Sequence, residues 1–320
     1  MRNGNVCCGR TLRAVAFQIR PRFVAVLLSG VLALGYAGAI GYVKLNERTL
    51  IFRPGDRKVS PSPSRFDLRE KRVAYPSSDG VTVSAWIVPA AGASPSDTWL
   101  LICHGNFGSI GYGGRPEFYA SMRGLGINLL AFDYRGFGES DGAPDERGLY
   151  DDATASYQHL THSLGVLPAR IILFGHSLGS GVAIELASRM PAAGLIVEGA
   201  YTSIVDRGQE LYPFFPIALM ATQRFPSLER IQQVEMPKLF LHSPEDSVIP
   251  YAHGRRLFDT ARAPKQFVDV RGGHDDAYRI DKSVYYGAIA EFLRDTATLP
   301  GPADSASERP PQVFAPARAR

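Results

Sequence analysis

The chain has 320 residues, 45% of them hydrophobic, enough for one large domain with a packed core. Its net charge is only +4, and its Lys and Arg residues are scattered rather than interleaved with aromatics in a run, so no nucleic-acid partner is expected. Three cysteines (Cys7, Cys8, Cys103) cannot build a disulfide framework, and no zinc-spaced Cys/His cluster, P-loop or dinucleotide-binding glycine motif occurs; no metal or cofactor is expected, and any chemistry must run on side chains alone.

Residues 1–22 form a basic segment with Arg2, Arg10, Arg13, Arg20 and Arg22 and no acidic residue. Cys7 and Cys8 are either acylation sites beside a membrane or plain thiols on a flexible end. Residues 23–43, FVAVLLSGVLALGYAGAIGYV, carry no charge. About 20 such residues at about 1.5 Å each match a hydrocarbon core of roughly 30 Å, so the segment reads as a signal anchor and the protein as a single-pass membrane protein. Ala37-Gly38-Ala39 keeps a cleaved signal peptide open as a rival. The arginines before the span favour a cytoplasmic N-terminus and a catalytic domain on the exported side, periplasm or lumen, while Lys44, Arg48, Arg53, Arg57 and Lys58 beyond it pull the other way. Residues 44–65 are a juxtamembrane linker rich in Pro, Ser and basic residues, and residues 298–320 have too little apolar content to fold and form a disordered tail.

Between these ends, residues 66–297 alternate two kinds of apolar pattern. VTVSAW (81–86) has the period of two of a strand with one wetter face. WLLICHG, INLLAFD, RIILFGHS, GLIVEGA, PKLFLHS and KQFVDV are short apolar runs that end in small or polar residues. Stretches such as LYDDATASYQHLTHSL (149–164) and SGVAIELASRM (180–190) suit amphipathic helices. Alternating β and α units predict a mostly parallel central sheet with helices on both faces, and in such sheets sites form at the carboxyl ends of the strands.

The residues with chemical promise sit at such ends. Gly175-His176-Ser177-Leu178-Gly179 is a G-x-S-x-G between a strand and a helix, which predicts a tight turn that lifts the Ser177 hydroxyl clear of the sheet. A Cβ at Gly175 or Gly179 would collide with neighbouring backbone, and the Leu178 N–H would point at the reaction centre from the start of a helix. A serine needs a base and the base an orienting carboxylate, in the chain order nucleophile, acid, histidine. After Ser177 the histidines are His242, His253 and His274; only His274 lies on a glycine-rich loop past the last strand, whereas His242 ends a strand and His253 falls on a helix. For the acid, Asp246 and Glu245 share one loop after PKLFLHS, and Asp275 and Asp276 follow the histidine too closely to turn back on it. A second oxyanion donor is expected from the loop Cys103-His104-Gly105-Asn106-Phe107-Gly108, assigned to the backbone N–H of Asn106 with Phe107 as the rival and His104 as a brace.

These motifs resemble the α/β-hydrolase superfamily, and within it the membrane-anchored Bem46-like group, the α/β-hydrolase-domain proteins 12, 13 and 17. The resemblance runs from about Leu50 to Leu293 and rests on LIFRPG, HGN (104–106), FDYRGFGESDG (132–142), GHSLGSG (175–181), PEDSVIP (244–250) and GGHDDAY (272–278). It implies the α/β-hydrolase fold, hydrolysis of a small-molecule, lipid or acyl-protein ester or thioester, and a supporting role for Asp133, Arg135 and Gly136. It selects Asp246, because Asp246-Ser247-Val248-Ile249-Pro250 matches the family pattern Asp-x-x-Val-Pro with Ile249 in place of valine. The site implied is Ser177, His274 and Asp246, with Leu178 and Asn106 as oxyanion donors. The departure is a short cap, about residues 201–236, whose apolar residues either line an acyl pocket, touch a bilayer or pack as an ordinary helix. Two other readings stand beside it: a serine peptidase, and a non-catalytic membrane-bound module of the same fold.

Overall fold

The structure, a computed structural model, describes residues 21–55, 63–92 and 96–297. Most of the basic segment with Cys7 and Cys8, residues 56–62 of the linker, and the tail 298–320 lie outside the described residues. The chain divides into two units, 1–45 and 46–320. In the first, one helix, α1 (Pro21–Leu45), contains a stretch from Ala25 to Leu45 long and apolar enough to cross a membrane. Val26, Leu27, Leu28, Val31, Leu32 and Leu34 along this helix are all exposed.

The second unit is built on eight strands: β1 (Lys71–Pro76), β2 (Thr82–Val88), β3 (Trp99–Cys103), β4 (Asn128–Phe132), β5 (Ile171–His176), β6 (Gly194–Glu198), β7 (Lys238–His242) and β8 (Lys265–Asp269). They form one sheet in the order β1-β2-β4-β3-β5-β6-β7-β8, in which only β2 runs antiparallel to its neighbours. The helices that follow α1 are α2 (Glu47–Ile51), α3 (Arg115–Gly124), α4 (Glu146–Gln158), α5 (Leu178–Ala187), α6 (Ile204–Leu211), α7 (Ile217–Met220), α8 (Ser227–Arg230), α9 (Tyr251–Thr260), α10 (Ala277–Ile280) and α11 (Lys282–Ala297).

The apolar runs are unbroken because both faces of the sheet are covered. Leu101, Leu130, Leu173, Val197 and Phe240 pack on one side with Leu149, Val182 and Leu186 of α4 and α5. Leu100, Leu129, Ile172, Ile196 and Leu239 pack on the other with Phe118 and Met122 of α3 and Ile289 and Phe292 of α11. This corrects the expected wet face of β2: Val83, Ser84, Ala85 and Trp86 are all buried, and the Ser84 N–H is satisfied by Ser140 Oγ at 2.8 Å. The predicted helix 149–164 starts earlier, where Asp145 caps it by accepting from Gly148 N at 2.7 Å, and gives way at His159 to a π-helical turn. The edge strand β1 had no sequence signal, since it opens on the adjacent charges Lys71 and Arg72, ends on Pro76 and is buried at Tyr75 alone. Between β6 and β7 the chain forms a small cap of three short helices, α6 to α8.

Candidate active site

Ser177 stands between β5 and α5 with φ 52° and ψ −122°, a left-handed conformation unusual for any residue but glycine. Such a backbone costs on the order of 1–3 kcal/mol and persists only where the surroundings enforce it. Here the Ser177 N–H donates to Glu198 O on the adjacent strand at 3.0 Å. A Cβ on Gly175 would overlap Gly179 O and lie 2.7 Å from Ser180 Cα, and one on Gly179 would strike the Cys103 carbonyl at the end of β3. Both glycines are therefore required, one by the helix and one by the neighbouring strand, as the motif predicted.

The Ser177 hydroxyl donates to His274 Nε2 at 2.7 Å, and His274 Nδ1–H donates to Asp246 Oδ2 at 2.7 Å. The tautomer follows from the carboxylate, which can only accept at Nδ1 and so leaves Nε2 as the acceptor facing serine. The other carboxylate oxygen, Asp246 Oδ1, accepts from the N–H groups of Val248 and Ile249, each at 2.8 Å. Asp246 and His274 reach each other because Ser243 Oγ donates to Gly272 O and ties the loop after β7 to the loop after β8, which is itself shaped by Asp276 Oδ1 accepting the Gly273 N–H at 2.6 Å. Gly199 makes room for the pair, since a Cβ there would sit 3.0 Å from His274 Cε1 and 3.4 Å from Asp246 Oδ2. Glu245 instead points outward and Asp275 is largely exposed, so neither takes the place of Asp246 on the ring.

Electrostatics match this geometry. Burial alone would lower the His274 pKa, but the hydrogen bond and charge of Asp246, helped by Asp275 and Glu198, raise it above the ordinary value. Burial works against the ionised Asp246 carboxylate as well, yet His274 and the Ile249 and Val248 amides hold its pKa below the usual range. The other two histidines weighed as the base, His242 and His253, are held in structural hydrogen bonds. His242 Nε2–H donates to Ile249 O at 3.0 Å and steadies the acid loop, and His253 takes the Thr202 N–H on Nδ1 and bonds Glu210 through Nε2.

The loop after β3 is where the second oxyanion donor, Asn106, is expected. His104 Nδ1–H donates to Gly105 O at 2.7 Å, so His104 does brace this loop, and Arg115 Nη2 donates to the same carbonyl at 3.2 Å. In a trans peptide the N–H points opposite the C=O, so these two donors fix the direction of the Asn106 N–H. The Arg53 N–H in turn donates to the Asn106 carbonyl at 3.0 Å, and the Asn106 side chain donates to Ile51 O at 3.1 Å. Leu178 is the first residue of α5, where the N–H has no acceptor one turn back. Behind the loop, Asp133 Oδ1 accepts the Ile110 N–H at 2.7 Å, Arg135 is forked between Asp152 and Asp79, and Gly136 turns the chain at φ 75°, all three in the supporting role the resemblance implied.

Three groups near the site carried no recognisable sequence signal. Arg115 also donates to Ser109 O and so clamps both ends of the oxyanion loop. His176, the variable residue before the serine, donates from Nε2–H to His274 O at 3.0 Å, and burial together with the nearby His274 lowers its pKa to about 4. Glu198, at the end of β6, is buried; desolvation raises its pKa to about 7, although Tyr285 OH donates to it at 2.8 Å. Among the described residues one group has metal-ligand spacing, a single atom each from His176, His274 and Asp275 within 4.8 Å of one another. Both imidazoles are already committed to the hydrogen bonds above. A cavity of about 550 Å³ opens over Ser177 and His274, with Leu50, Ile51, Asn106, Ile204, Leu211 and Tyr212 in its walls. A second, of about 440 Å³, adjoins it and shares Gly105, Phe107, Arg115, His176 and Asp275.

The sequence profile of the Alpha/beta hydrolase family matches residues 100–317. The chain belongs to that family. A curated but uncharacterized protein of Mycobacterium tuberculosis is 36% identical to this α/β-hydrolase over 278 residues, 86% of this chain and 97% of that protein. The lysophosphatidylserine lipase ABHD12 of Danio rerio is 35% identical over 219 residues, 63% of this α/β-hydrolase and 56% of the lipase. Protein bem46 of Schizosaccharomyces pombe is 28% identical over 268 residues, 80% and 89% of the two chains, so the relatives include the group to which the six motifs pointed. Among solved structures, an esterase of Pyrococcus furiosus superposes with a TM-score of 0.65 at 17% identity, over 77% of this chain and 98% of the esterase, a likeness of fold.

Proposed function

We propose that this α/β-hydrolase is a serine hydrolase that cleaves carboxylic ester or thioester bonds of acyl substrates through an acyl-enzyme. The observation that carries the reading is the hydrogen-bonded line from Ser177 through His274 to Asp246, 2.7 Å at each step. Ser177 Oγ attacks the acyl carbonyl while its proton passes to His274 Nε2, and Asp246 stabilises the imidazolium. The oxyanion is met by the N–H groups of Leu178 and Asn106, each such donor being worth on the order of a hundred- to a thousand-fold in rate. His274 returns the proton to the departing alkoxide or thiolate. Water, deprotonated by the same ring, then releases the acid and restores the serine.

The mainly apolar wall over Ser177 suits an acyl chain, and a lipase among the relatives supports a lipid ester as the substrate class. The apolar helix α1 makes the enzyme a single-pass membrane protein, with the domain on the exported side according to the arginines ahead of the span. In this organisation residues 1–22 are the basic segment, 23–43 the anchor, 44–65 the linker, 66–297 the catalytic domain and 298–320 the tail. Ser177→Ala tests the reading: it should leave the fold intact, abolish hydrolysis of a short p-nitrophenyl ester and abolish labelling by a fluorophosphonate. Wild-type turnover in that variant overturns the assignment of Ser177. Failure of the folded parent to label would instead point to a non-catalytic module.

A further inference from the structure

The cap presents an apolar crest at the mouth of the cavity over Ser177. Leu211 and Tyr212 line that cavity and are also exposed at its rim, as are Val248 and Phe107 on other sides of the opening. Phe214, in the turn after α6, and Leu219, in α7, are 84% and 87% exposed. Apolar surface thus continues from the outside of the cap to the catalytic serine. Large exposed apolar residues grouped around a cavity mouth mark a surface with an apolar partner.

The partner is indicated by the base of the cap. Glu47 lies two residues along the chain from Leu45, the last residue of the apolar helix, at most about 7 Å of backbone. Its carboxylate accepts from Thr222 N at 2.7 Å, Thr222 Oγ1 at 2.6 Å and Gln223 N at 2.9 Å, which fastens the cap three residues after Leu219. Leu50 and Ile51, three and four residues further on, line the same cavity. The chain therefore passes from its apolar segment to the cap and the cavity wall within six residues.

We propose that the crest docks on the lipid bilayer that holds the apolar helix, and that an ester with a long acyl chain enters the cavity from the bilayer across the cap. The proposal rests on the ester-hydrolase reading for its activity measurement. Two arms test it on the full chain reconstituted in phosphatidylcholine vesicles. In the first, Phe214→Glu/Leu219→Glu is compared with the parent on a long-chain monoacylglycerol carried in the vesicles and on a soluble p-nitrophenyl acetate. The expected result is a fall of about tenfold or more in kcat/KM for the vesicle-borne ester, with the soluble ester unaffected. Equal effects on both esters, or none on either, overturn the proposal. If the parent cleaves neither ester, it is the hydrolase reading that fails.

The second arm needs no activity. A tryptophan placed by Leu219→Trp should be quenched by acyl-brominated lipids more than the native tryptophans are. The absence of extra quenching overturns the proposal. Quenching that instead follows protein density in the vesicle assigns the crest to a second copy of the chain, and likewise overturns it.

Discussion

Asp246→Asn isolates the contribution of one charge without moving its neighbours. The carboxylate is fixed from two sides: Oδ1 accepts the Val248 and Ile249 N–H groups at 2.8 Å, and Oδ2 faces His274 Nδ1 at 2.7 Å. An asparagine must keep its oxygen on the two amides, so its NH2 group falls opposite His274 Nδ1. The ring is then forced to accept at Nδ1 and to carry its proton on Nε2, where the lone pair for Ser177 belongs. Both the base and the support for the imidazolium are lost. Equivalent changes in other serine hydrolases cost on the order of 10⁴ in kcat, or about 5.4 kcal/mol of barrier at about 1.36 kcal/mol per decade. The assay is steady-state cleavage of a short p-nitrophenyl ester, with the thermal midpoint as a check on folding. The pH profile gives a second reading. His274 must be neutral to act, and Asp246 raises its pKa, so the rising limb of kcat/KM lies above the ordinary imidazole range in the parent and moves to lower pH in the variant. A folded Asp246→Asn within about tenfold of the parent rate would refute the reasoning. If Glu198→Gln or Glu245→Gln were inactive instead, the orienting acid would be that glutamate.

Backbone strain at Ser177 predicts that Ser177→Gly is inactive yet more stable than Ser177→Ala, by about 1 kcal/mol in urea unfolding, because glycine adopts φ 52° freely; equal midpoints would contradict this. Glu198 predicts a pH-dependent stability. Its carboxyl titrates near 7 when folded against 4.5 otherwise, so between these values the native state holds a proton that the unfolded chain has released, and stability falls as pH rises through that window. Glu198→Gln should flatten the fall and be stabilised relative to the parent at pH 8 but not at pH 4. Parallel stability curves would show that the carboxyl is not held neutral.

What the sequence reveals is what is written in short range. The strands β3 to β7 are visible as apolar runs because helices cover both faces. The need for Gly179 comes from Cys103, 76 positions away, and is legible only through the motif, whereas Gly175 is required by backbone only four and five residues on, at Gly179 and Ser180. The loop position of His274 and the Asp246 motif are equally local. Ser84 shows where such reasoning stops: it looks like a wet-face residue, but its N–H is satisfied by Ser140, 56 positions away. Glu198 meets its partner Tyr285 from a distance of 87 residues, and Arg115 matters only because the loop after β3 folds back over it. No periodicity or motif encodes such meetings; they exist once the sheet is assembled.

The line from hydroxyl to carboxylate draws on the ends of β5, β7 and β8, with β6 between them supplying Gly199 against the imidazole. A chain emerging from the ribosome therefore owns its nucleophile roughly a hundred residues before it owns its base. In the proposed mechanism, hydrolysis waits until the His274 loop that follows β8 reaches Ser177. Up to that moment, a nascent chain at a membrane full of ester bonds is harmless to them.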